Sequence, residues 1–314
     1  ALIAVSVISQ VTESRAQDYP TKPIRFLVGN APGGGTDIVA RLTAQKLSES
    51  LGRPVIVDNR PGGTGAVAAM LVAKAPADGY SILIVTRSSH AIAPALQSDL
   101  PYHPVRDFAA VSLLVTSPNM LLVHPSVPVA SVKELVAYAK ARPGTLNYGS
   151  SGTGSVGHMA AELFQVVTGT QFAHVPYKGA APSVNDLLSG RIQLMFIGPT
   201  LVPHVKSKKL KALAMGGSKR LASLEEVPTF AEAGYPEVEA AQWYGVVTTA
   251  GTPKAVVDRL NREIVASLQR PELRDKLLEM GFDPTSCTPP EFARIIRDDL
   301  ARWQKVVKSS GAKG

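Results

Sequence analysis

Two glycine-rich turns, at residues 30–37 and 149–155, constrain the fold of this chain more than any other feature. Each follows an apolar run typical of a β-strand and precedes a pattern typical of a helix. A helix N-terminus exposes unpaired N–H groups and a partial positive charge, and glycine allows a ligand to approach the backbone closely. One such turn in each half of the chain therefore predicts a small acid held between two lobes.

The chain alternates apolar runs with helical patterns, which predicts an α/β fold with two lobes. With 314 residues it is long enough for each lobe to bury a core of its own. In the first lobe we expect strands at 24–28, 55–57 and 81–86. They alternate with a helix that starts near Thr36, its expected N-cap, and an alanine-rich helix up to residue 75. This order predicts right-handed crossovers and a doubly wound sheet flanked by helices.

The second lobe repeats the pattern with its own doubly wound sheet. Its expected strands cover 146–148, 172–176, 192–197 and 212–215, and its expected helices cover 132–141, 155–168 and 181–188. Three further helices have no sheet of their own and should pack on the first lobe; they are expected at 253–268, 271–280 and 289–308. Two crossings, near 113–123 and 216–247, should form a two-stranded hinge. The predicted lobes are residues 17–115 with 240–314, and residues 116–239.

The formal net charge is +8, but the basic residues are dispersed. The densest group, four lysines within residues 206–211, has the character of a solvated helix end, and no basic run alternates with aromatic residues. We therefore predict no nucleic-acid partner. A positive field that attracts anionic solutes is the expected consequence of the charge.

The first residues have the pattern of a truncated signal peptide. An apolar run covers residues 1–8, and Ser14 and Ala16 place small side chains at the −3 and −1 positions of a cleavage site before Gln17. We predict a signal peptide at 1–16 and export to a bacterial periplasm; the alternative is a short N-terminal strand. No later segment has the roughly 18 uninterrupted apolar residues of a membrane helix. The single Cys287 permits no internal disulfide.

Motifs for cofactors, metals and catalysis are incomplete. Residues 152–157 match G-x-G-x-x-G, but the acidic residue that a dinucleotide site needs about 20 positions later is missing from 175–179. The sequence has no P-loop, no G-x-S-x-G elbow and no histidine spacing typical of zinc sites. We predict no cofactor, no metal and no catalytic residues, and favour binding over catalysis. The alternatives are an enzyme on the same scaffold, such as a transferase with an anionic substrate, and a sensor module.

The carboxyl ends of the parallel strands should face one another across a cleft between the lobes. Backbone N–H groups, hydroxyls and a few cations at those ends suit a carboxylate, because charge-assisted hydrogen bonds are stronger than neutral ones. The candidate ligand-binding residues are Pro32, Gly33, Gly34, Gly35, Thr36, Asp37, Arg87, Ser88, Ser150, Ser151, Gly152, Thr153, Tyr177, Lys178, Gly179 and Gly198.

Four of these candidate residues, and also His158, each have two possible interpretations. Arg87 is either a bidentate clamp for a carboxylate or a surface charge, and Lys178 has the same two interpretations. Asp37 is either a residue favoured by the helix dipole or a selector of a ligand amine or an ordered water. His158 either helps to bind an anion or is a structural histidine. Tyr177 either walls the cleft or belongs to the core.

Five short segments, taken together, form a pattern that is specific enough to compare with known protein families. They are P-G-G-G-T-D at 32–37, N-R-P-G-G at 59–63, A-D-G-Y at 77–80, Y-G-S-S-G at 148–152 and V-P-Y-K-G at 175–179. With them the chain, from residue 19 to the C-terminal helices, resembles the exported solute receptors of tripartite tricarboxylate transporters, the Bug-type proteins.

The resemblance implies a two-lobed periplasmic-binding-protein fold of the second type, which closes on a small organic acid. It implies that main-chain groups and ordered waters hold one ligand carboxylate at 32–37, and that 150–154 and 177–179 hold the other end. It further implies delivery to the membrane permease subunits of such a transporter, or to a sensor, by a receptor that we expect to be a monomer. Such receptors take di- and tricarboxylates, acidic amino acids, aromatic acids and neutral amides, so the sequence leaves the ligand open.

Overall fold

The computed structural model describes residues 19–97 and 99–310. The predicted signal peptide at 1–16 therefore lies outside the described residues. The strands are β1 (Ile24–Val28), β2 (Val55–Asn59), β3 (Ser81–Thr86), β4 (Phe108–Ser117), β5 (Asn119–Val123), β6 (Asn147–Ser150), β7 (Ala173–Pro176), β8 (Leu194–Ile197), β9 (Lys211–Gly216), β10 (Gln242–Thr249) and β11 (Asp283–Pro284).

The α-helices alternate with these strands through most of the chain. They are α1 (Gly35–Leu51), α2 (Ala66–Ala73), α3 (Ala93–Leu96), α4 (Val132–Lys140), α5 (Val156–Thr168), α6 (Ala180–Leu188), α7 (Val202–Lys206), α8 (Lys254–Gln269), α9 (Pro271–Glu279) and α10 (Pro289–Ser310). A π-helical turn at Ser88–Ile92 leads into α3. Along the parts of the chain that the structure describes, no helix is both long and apolar enough to span a membrane.

The strands form two mixed sheets with the same internal order. The first sheet runs β11-β4-β10-β3-β1-β2, and the second runs β7-β6-β8-β5-β9. In the first, β1 is parallel to β2 and β3, while β10 is antiparallel to both β3 and β4. In the second, β6 is parallel to β7 and β8, while β5 is antiparallel to both β8 and β9. Each doubly wound sheet thus receives one antiparallel strand next to its third strand, which the sequence did not reveal.

The inserted strands belong to the two connections between the sheets. β4 ends at Ser117 in the first sheet and β5 begins at Asn119 in the second, so only Pro118 separates them. Proline has no N–H to donate to a strand ladder, which favours the change of sheet at this residue. The return connection covers residues 217–241 and ends where β10 begins. These connections form the hinge between a first lobe built on the first sheet and a second lobe built on the second; the lobe boundaries in sequence stay a prediction.

The first sheet is covered on both faces because its side chains alternate. Ile24, Phe26 and Val28 of β1 point to the face covered by α1, α8 and α9, and Leu27 points to the face covered by α2 and α10. All four side chains are buried. This two-sided burial explains the nearly continuous apolar strands in the sequence.

The helix α10 contacts both lobes, whereas the sequence predicted only its packing on the first lobe. Val156 and Met159 of α5, in the second lobe, share one hydrophobic cluster with Ile296 and Trp303 of α10. The helices α8 and α9 pack on the first lobe as expected. All three C-terminal helices thus pack on the first lobe as expected, and α10 also contacts α5 of the second lobe.

Candidate functional site

The first glycine-rich turn connects β1 to α1 and leaves the helix without a side-chain cap. The predicted N-cap, Thr36, was wrong: Gly34 is the N-cap, and the buried Thr36 is the second residue of the helix. Within residues 19–97 and 99–310, the N–H groups of Gly34, Gly35 and Thr36 donate no hydrogen bond. Unsatisfied N–H groups at a helix N-terminus are the donors that an anion needs.

The carboxylate of Asp37 holds this turn in place. Its Oδ2 accepts hydrogen bonds from the Gly33 N–H and from Arg41 Nε, both at 2.9 Å, and its Oδ1 accepts one from Asn59 Nδ2 at 2.9 Å. Asn59 Nδ2 also donates to the Asn30 carbonyl at 3.0 Å. Burial opposes ionisation of Asp37, yet these hydrogen bonds outweigh it and keep the pKa of the carboxyl below its ordinary value. Both oxygens are thus engaged within the protein, which favours the structural interpretation of Asp37 over direct selection of a ligand amine.

Substitution Asp37→Asn is expected to destabilise the fold by about 1–3 kcal/mol, because an amide nitrogen replaces one acceptor oxygen of a buried carboxylate that accepts three hydrogen bonds. Because the pKa of Asp37 is lowered on folding, the carboxylate stabilises the wild type at neutral pH, and this contribution is lost as the pH falls below the ordinary carboxyl range. Urea unfolding at pH 7 measures the loss, with Asp275→Asn on the exposed side of α9 as the matched control. Equal stability of the two variants would contradict the bracing role.

The second glycine-rich turn connects β6 to α5 and is organised by its own side chains. Ser155 is the N-cap of α5, and its Oγ accepts a hydrogen bond from the His158 N–H at 3.2 Å. Ser150 is fully buried; its Oγ lies 2.8 Å from His174 Nε2 and accepts a hydrogen bond from the Gly152 N–H at 3.2 Å. Ser151 and Thr153 are exposed, so they are the side chains of this turn that a ligand can reach.

His158 is a structural histidine under this turn. Its Nδ1 accepts a hydrogen bond from the Gly154 N–H at 3.2 Å, and its ring stacks on His174 with centroids 4.1 Å apart. Burial, assisted by the neighbouring His174, lowers the pKa of His158 to about 4. The imidazole is therefore neutral at physiological pH, which favours the structural interpretation over anion binding.

The stability of the protein is expected to fall as the pH decreases from about 6.5 toward 4. Across this range the unfolded chain binds a proton at His158 that the folded chain excludes, so stability rises with pH. Replacement His158→Gln keeps an acceptor for the Gly154 N–H but removes its own titration, and should reduce the slope of this part of the profile, to which His90 and His174, whose pKa values burial also lowers, still contribute. Urea unfolding midpoints at pH 4.5 and 7.5 test this, with His204→Gln as the control. An unchanged slope in His158→Gln would refute the assignment.

The loop after β7 lies directly against the second turn. The N–H of Tyr177 donates to the Ser150 carbonyl at 3.1 Å, and the N–H of Gly179 donates to the Ser151 carbonyl at 3.2 Å. The Tyr177 hydroxyl donates to Asp186 Oδ2 at 2.7 Å; burial and this bond raise the pKa of Tyr177 to about 12. Lys178 is exposed. The structure thus brings together these predicted residues of the second lobe.

The first turn and Pro199, the residue after Gly198, both contact the segment 281–282 at the hinge. An added Cβ at Gly35 would lie 3.3 Å from Phe282 Cζ and 3.5 Å from the Tyr244 hydroxyl. An added Cβ at Gly281 would lie 2.3 Å from Pro199 Cγ, so Gly281 packs closely on the residue that follows Gly198. The segment 281–282 therefore contacts the first turn on one side and the second lobe on the other.

These features can be set beside known proteins. The family described as "Tripartite tricarboxylate transporter family receptor" matches residues 39–312. The chain belongs to this receptor family. The resemblance inferred from the five segments is confirmed, although the match begins after the first turn.

Relatives of this tripartite tricarboxylate transporter receptor align with it along almost its whole length. Protein BugT of Bordetella pertussis is 37% identical over 95% of this chain and 92% of its own. The structure of Rpa4515 of R. palustris with adipate is 40% identical, covers 94% of this chain and 99% of its own, and has a TM-score of 0.82. MatC (Rpa3494) of Rhodopseudomonas palustris with bound malate is 30% identical, covers 92% and 100%, and has a TM-score of 0.78. The predicted two-lobed periplasmic-binding-protein fold is confirmed.

Arg87 has neither of the roles predicted for it in this receptor. It is buried, with Nε 2.7 Å from Asp299 Oδ2 and Nη2 3.0 Å from Glu239 Oε1, and its Nη1 donates to the Ala241 carbonyl. The guanidinium is thus neither a free clamp for a ligand carboxylate nor a surface charge. It ties the end of β3 to α10 and to the return connection of the hinge. The neighbouring Ser88 is half-buried, and its Oγ accepts a hydrogen bond from Gln242 Nε2 at 3.4 Å.

Sequence reasoning missed the residues that support the turns. Asn59 and Arg41 hold Asp37, and Phe282 and Tyr244 pack behind Gly35. Asn59 opens the N-R-P-G-G segment, which was a usable signal; Phe282 lies more than 240 residues from the turn and gave none. Among residues 19–97 and 99–310, no three His, Cys, Asp or Glu side chains are grouped as metal ligands would be.

Proposed function

We propose that this protein is an exported receptor that binds a small organic acid between its two lobes and delivers it to a tripartite tricarboxylate-type membrane transporter. The observation that carries the proposal is the N-terminus of α1, which has no side-chain cap and where the N–H groups of Gly34, Gly35 and Thr36 donate no hydrogen bond to the described residues. Membership of the receptor family and the adipate and malate in two relatives support a carboxylate as the ligand.

Recognition would depend on the backbone rather than on a cationic side chain. Arg87 is already paired with Asp299 and Glu239, so its charge is not available to a ligand. The negative charge of Asp37 beside the turn is balanced by Arg41 and does not repel an acid. Helix-terminal N–H groups then bind the carboxylate, and closure of the lobes strengthens these bonds by excluding water. Closure follows only if the ligand binds the closed state more tightly than the open one.

The structure supports binding rather than catalysis at the second turn. Ser150 and His174 form a contact of 2.8 Å that resembles a nucleophile and its base. Ser150 is fully buried, however, and its hydroxyl also contacts the carbonyl of Gly152 at 3.2 Å. A substrate cannot reach this oxygen without a rearrangement of the turn, so we infer a non-enzymatic receptor.

A thermal-shift screen of the purified protein tests the ligand class. Di- and tricarboxylates, acidic amino acids and aromatic acids are compared with the corresponding neutral amides. A true ligand at about 100 times its Kd should stabilise the protein by about 2.7 kcal/mol. If only neutral amides raise the melting temperature, the carboxylate assignment fails while the receptor function stands; if no solute does, the receptor proposal itself is contradicted.

Export, lobe organisation and partners are part of the same proposal. We infer that residues 17–115 with 240–314 and residues 116–239 form the two lobes of a periplasmic monomer released by cleavage after Ala16. Permease subunits of a tripartite tricarboxylate transporter, or a sensor, would receive the loaded form. N-terminal sequencing of the periplasmic fraction and light scattering of the purified protein check the cleavage site and the monomer.

A further inference from the structure

A groove of about 360 Å³ lies at the hinge, between the two lobes. Thr116 and Pro118 at the first connection, residues 217–222 at the second, and Arg274 and Phe282 of the first lobe line it. It adjoins a cavity of about 400 Å³, with which it shares four lining residues. The lining of the two cavities contains none of the residues of the glycine-rich turns. The hinge groove therefore does not include the two turns that we propose as the ligand site in the cleft.

The hinge groove carries cations that other side chains do not neutralise. Lys219 and Arg274 line both cavities, and within the described ranges no carboxylate lies within ion-pair distance of either. Arg220, in contrast, pairs with Glu232 at 2.9 Å. Asp283 also lines both cavities and contributes one negative charge. Two uncompensated cations and one carboxylate leave a single positive charge, which matches a monoanion.

Apolar side chains line the same groove. Leu278 is 44% exposed on α9, and Phe282 forms part of the wall together with Leu221 and Pro118. An exposed leucine alone is ordinary, but here it shares a concave site with cations. A ligand that matches both the cations and the apolar side chains of the groove has one anionic group and an apolar body.

The groove is also connected physically to the first glycine-rich turn. Phe282 lines the groove, and its ring lies against Gly35, where an added Cβ would be 3.3 Å from Cζ. The adjacent Gly281 packs on Pro199 of the second lobe. An occupant that contacts Phe282 therefore acts on a short segment that touches both the first turn and the second lobe.

We propose that the hinge groove is a second binding site, which takes an amphiphilic monoanion such as an aryl- or alkyl-monocarboxylate. Lys219 and Arg274 bind the carboxylate, and Phe282 and Leu278 contact the apolar body. Because the groove is formed by both lobes, its occupant also changes the affinity of the cleft for its ligand. This effect on the cleft, unlike binding in the groove, rests on the proposed function.

Isothermal titration calorimetry with 3-phenylpropionate tests the site. Arg274→Ala should weaken binding at least about tenfold, or about 1.4 kcal/mol. Lys276→Ala, which removes an exposed cation from the same helix outside the groove, should leave it unchanged. Gly34→Val, which alters the proposed cleft, should also retain binding, and the neutral 3-phenylpropanamide should bind much more weakly.

Three results would overturn the proposal. One is equal affinity of Arg274→Ala and the wild type, and another is equal affinity of the acid and its amide. The third is loss of binding in Gly34→Val alone, which would place the probe in the cleft and support the cleft proposal instead. Where Arg274→Ala proves unstable, Lys219→Ala replaces it, since Lys219 lies in an exposed connection.

Discussion

Replacement of Gly34 by valine is expected to abolish ligand binding with little loss of stability. Gly34 is exposed, its φ of −80° suits any residue, and an added Cβ would meet only the Ala31 carbonyl oxygen, at 3.8 Å. The β-branched side chain would, however, cover the N–H groups at the start of α1 that we propose as the carboxylate donors. We expect binding to weaken at least about 100-fold, or about 2.7 kcal/mol.

Calorimetry with the acid identified by the thermal-shift screen measures this loss, and urea unfolding measures stability. Ala301→Val, at an exposed position of α10, is the control for an added branched side chain. Gly34→Ala should give an intermediate affinity, because its single methyl group covers less of the backbone. Wild-type affinity in Gly34→Val, with the fold intact, would exclude the first turn as the site.

Removal of the Asp299 carboxylate is expected to cause the largest loss of stability, about 3 kcal/mol, because it leaves a buried guanidinium short of charge compensation. Asp299 Oδ2 accepts hydrogen bonds from Arg87 Nε at 2.7 Å and from Trp243 Nε1 at 2.6 Å. Glu239 also pairs with Arg87, and Arg302 pairs with Glu239 in turn. Burial opposes ionisation of Glu239, but the two arginines outweigh it and lower the pKa of that carboxyl.

A double-mutant cycle separates the ion pair from other effects of the substitution. Asp299→Asn is compared with Arg87→Met and with the double variant in urea unfolding. The double variant should be more stable than Asp299→Asn, since it removes the Arg87 guanidinium as well as the Asp299 carboxylate and so leaves no uncompensated charge. Asp298→Asn, at the neighbouring exposed residue of α10, is the control. Equal stability of Asp299→Asn and the double variant would refute the role of the pair.

The strands and helices were predictable because their hydrophobic periodicity is local information. The third strand was predicted at 81–86 and occurs at Ser81–Thr86, and the long C-terminal helices were placed within a few residues of their observed ends. The segment with Pro118 at its centre was recognised as a crossing, which the change of sheet between β4 and β5 explains. The π-helical turn at Ser88–Ile92 and the short β11 were missed, because neither has enough residues to establish a period.

The roles of polar side chains were less predictable, because they depend on partners far away in sequence. Arg87 is 212 residues from Asp299, and nothing in the sequence near either residue indicates that α10 would bring them together. Threonine is a residue type favoured at N-caps, but the helix starts at Gly35, two residues earlier than a cap at Thr36 allows. Local sequence patterns thus located the turns. Which side chains near the turns were available to bind a ligand or cap the helix depended on the tertiary fold.

The contact between α5 and α10 has a consequence for how strongly any solute is held. Val156 and Met159 share a hydrophobic cluster with Trp303 across the lobes, so opening the protein transfers apolar surface into water. We expect this cost to favour, in the empty protein, the arrangement that keeps α5 against α10. The apparent dissociation constant equals the intrinsic one divided by the fraction of competent molecules, so any gain in that fraction tightens the measured affinity.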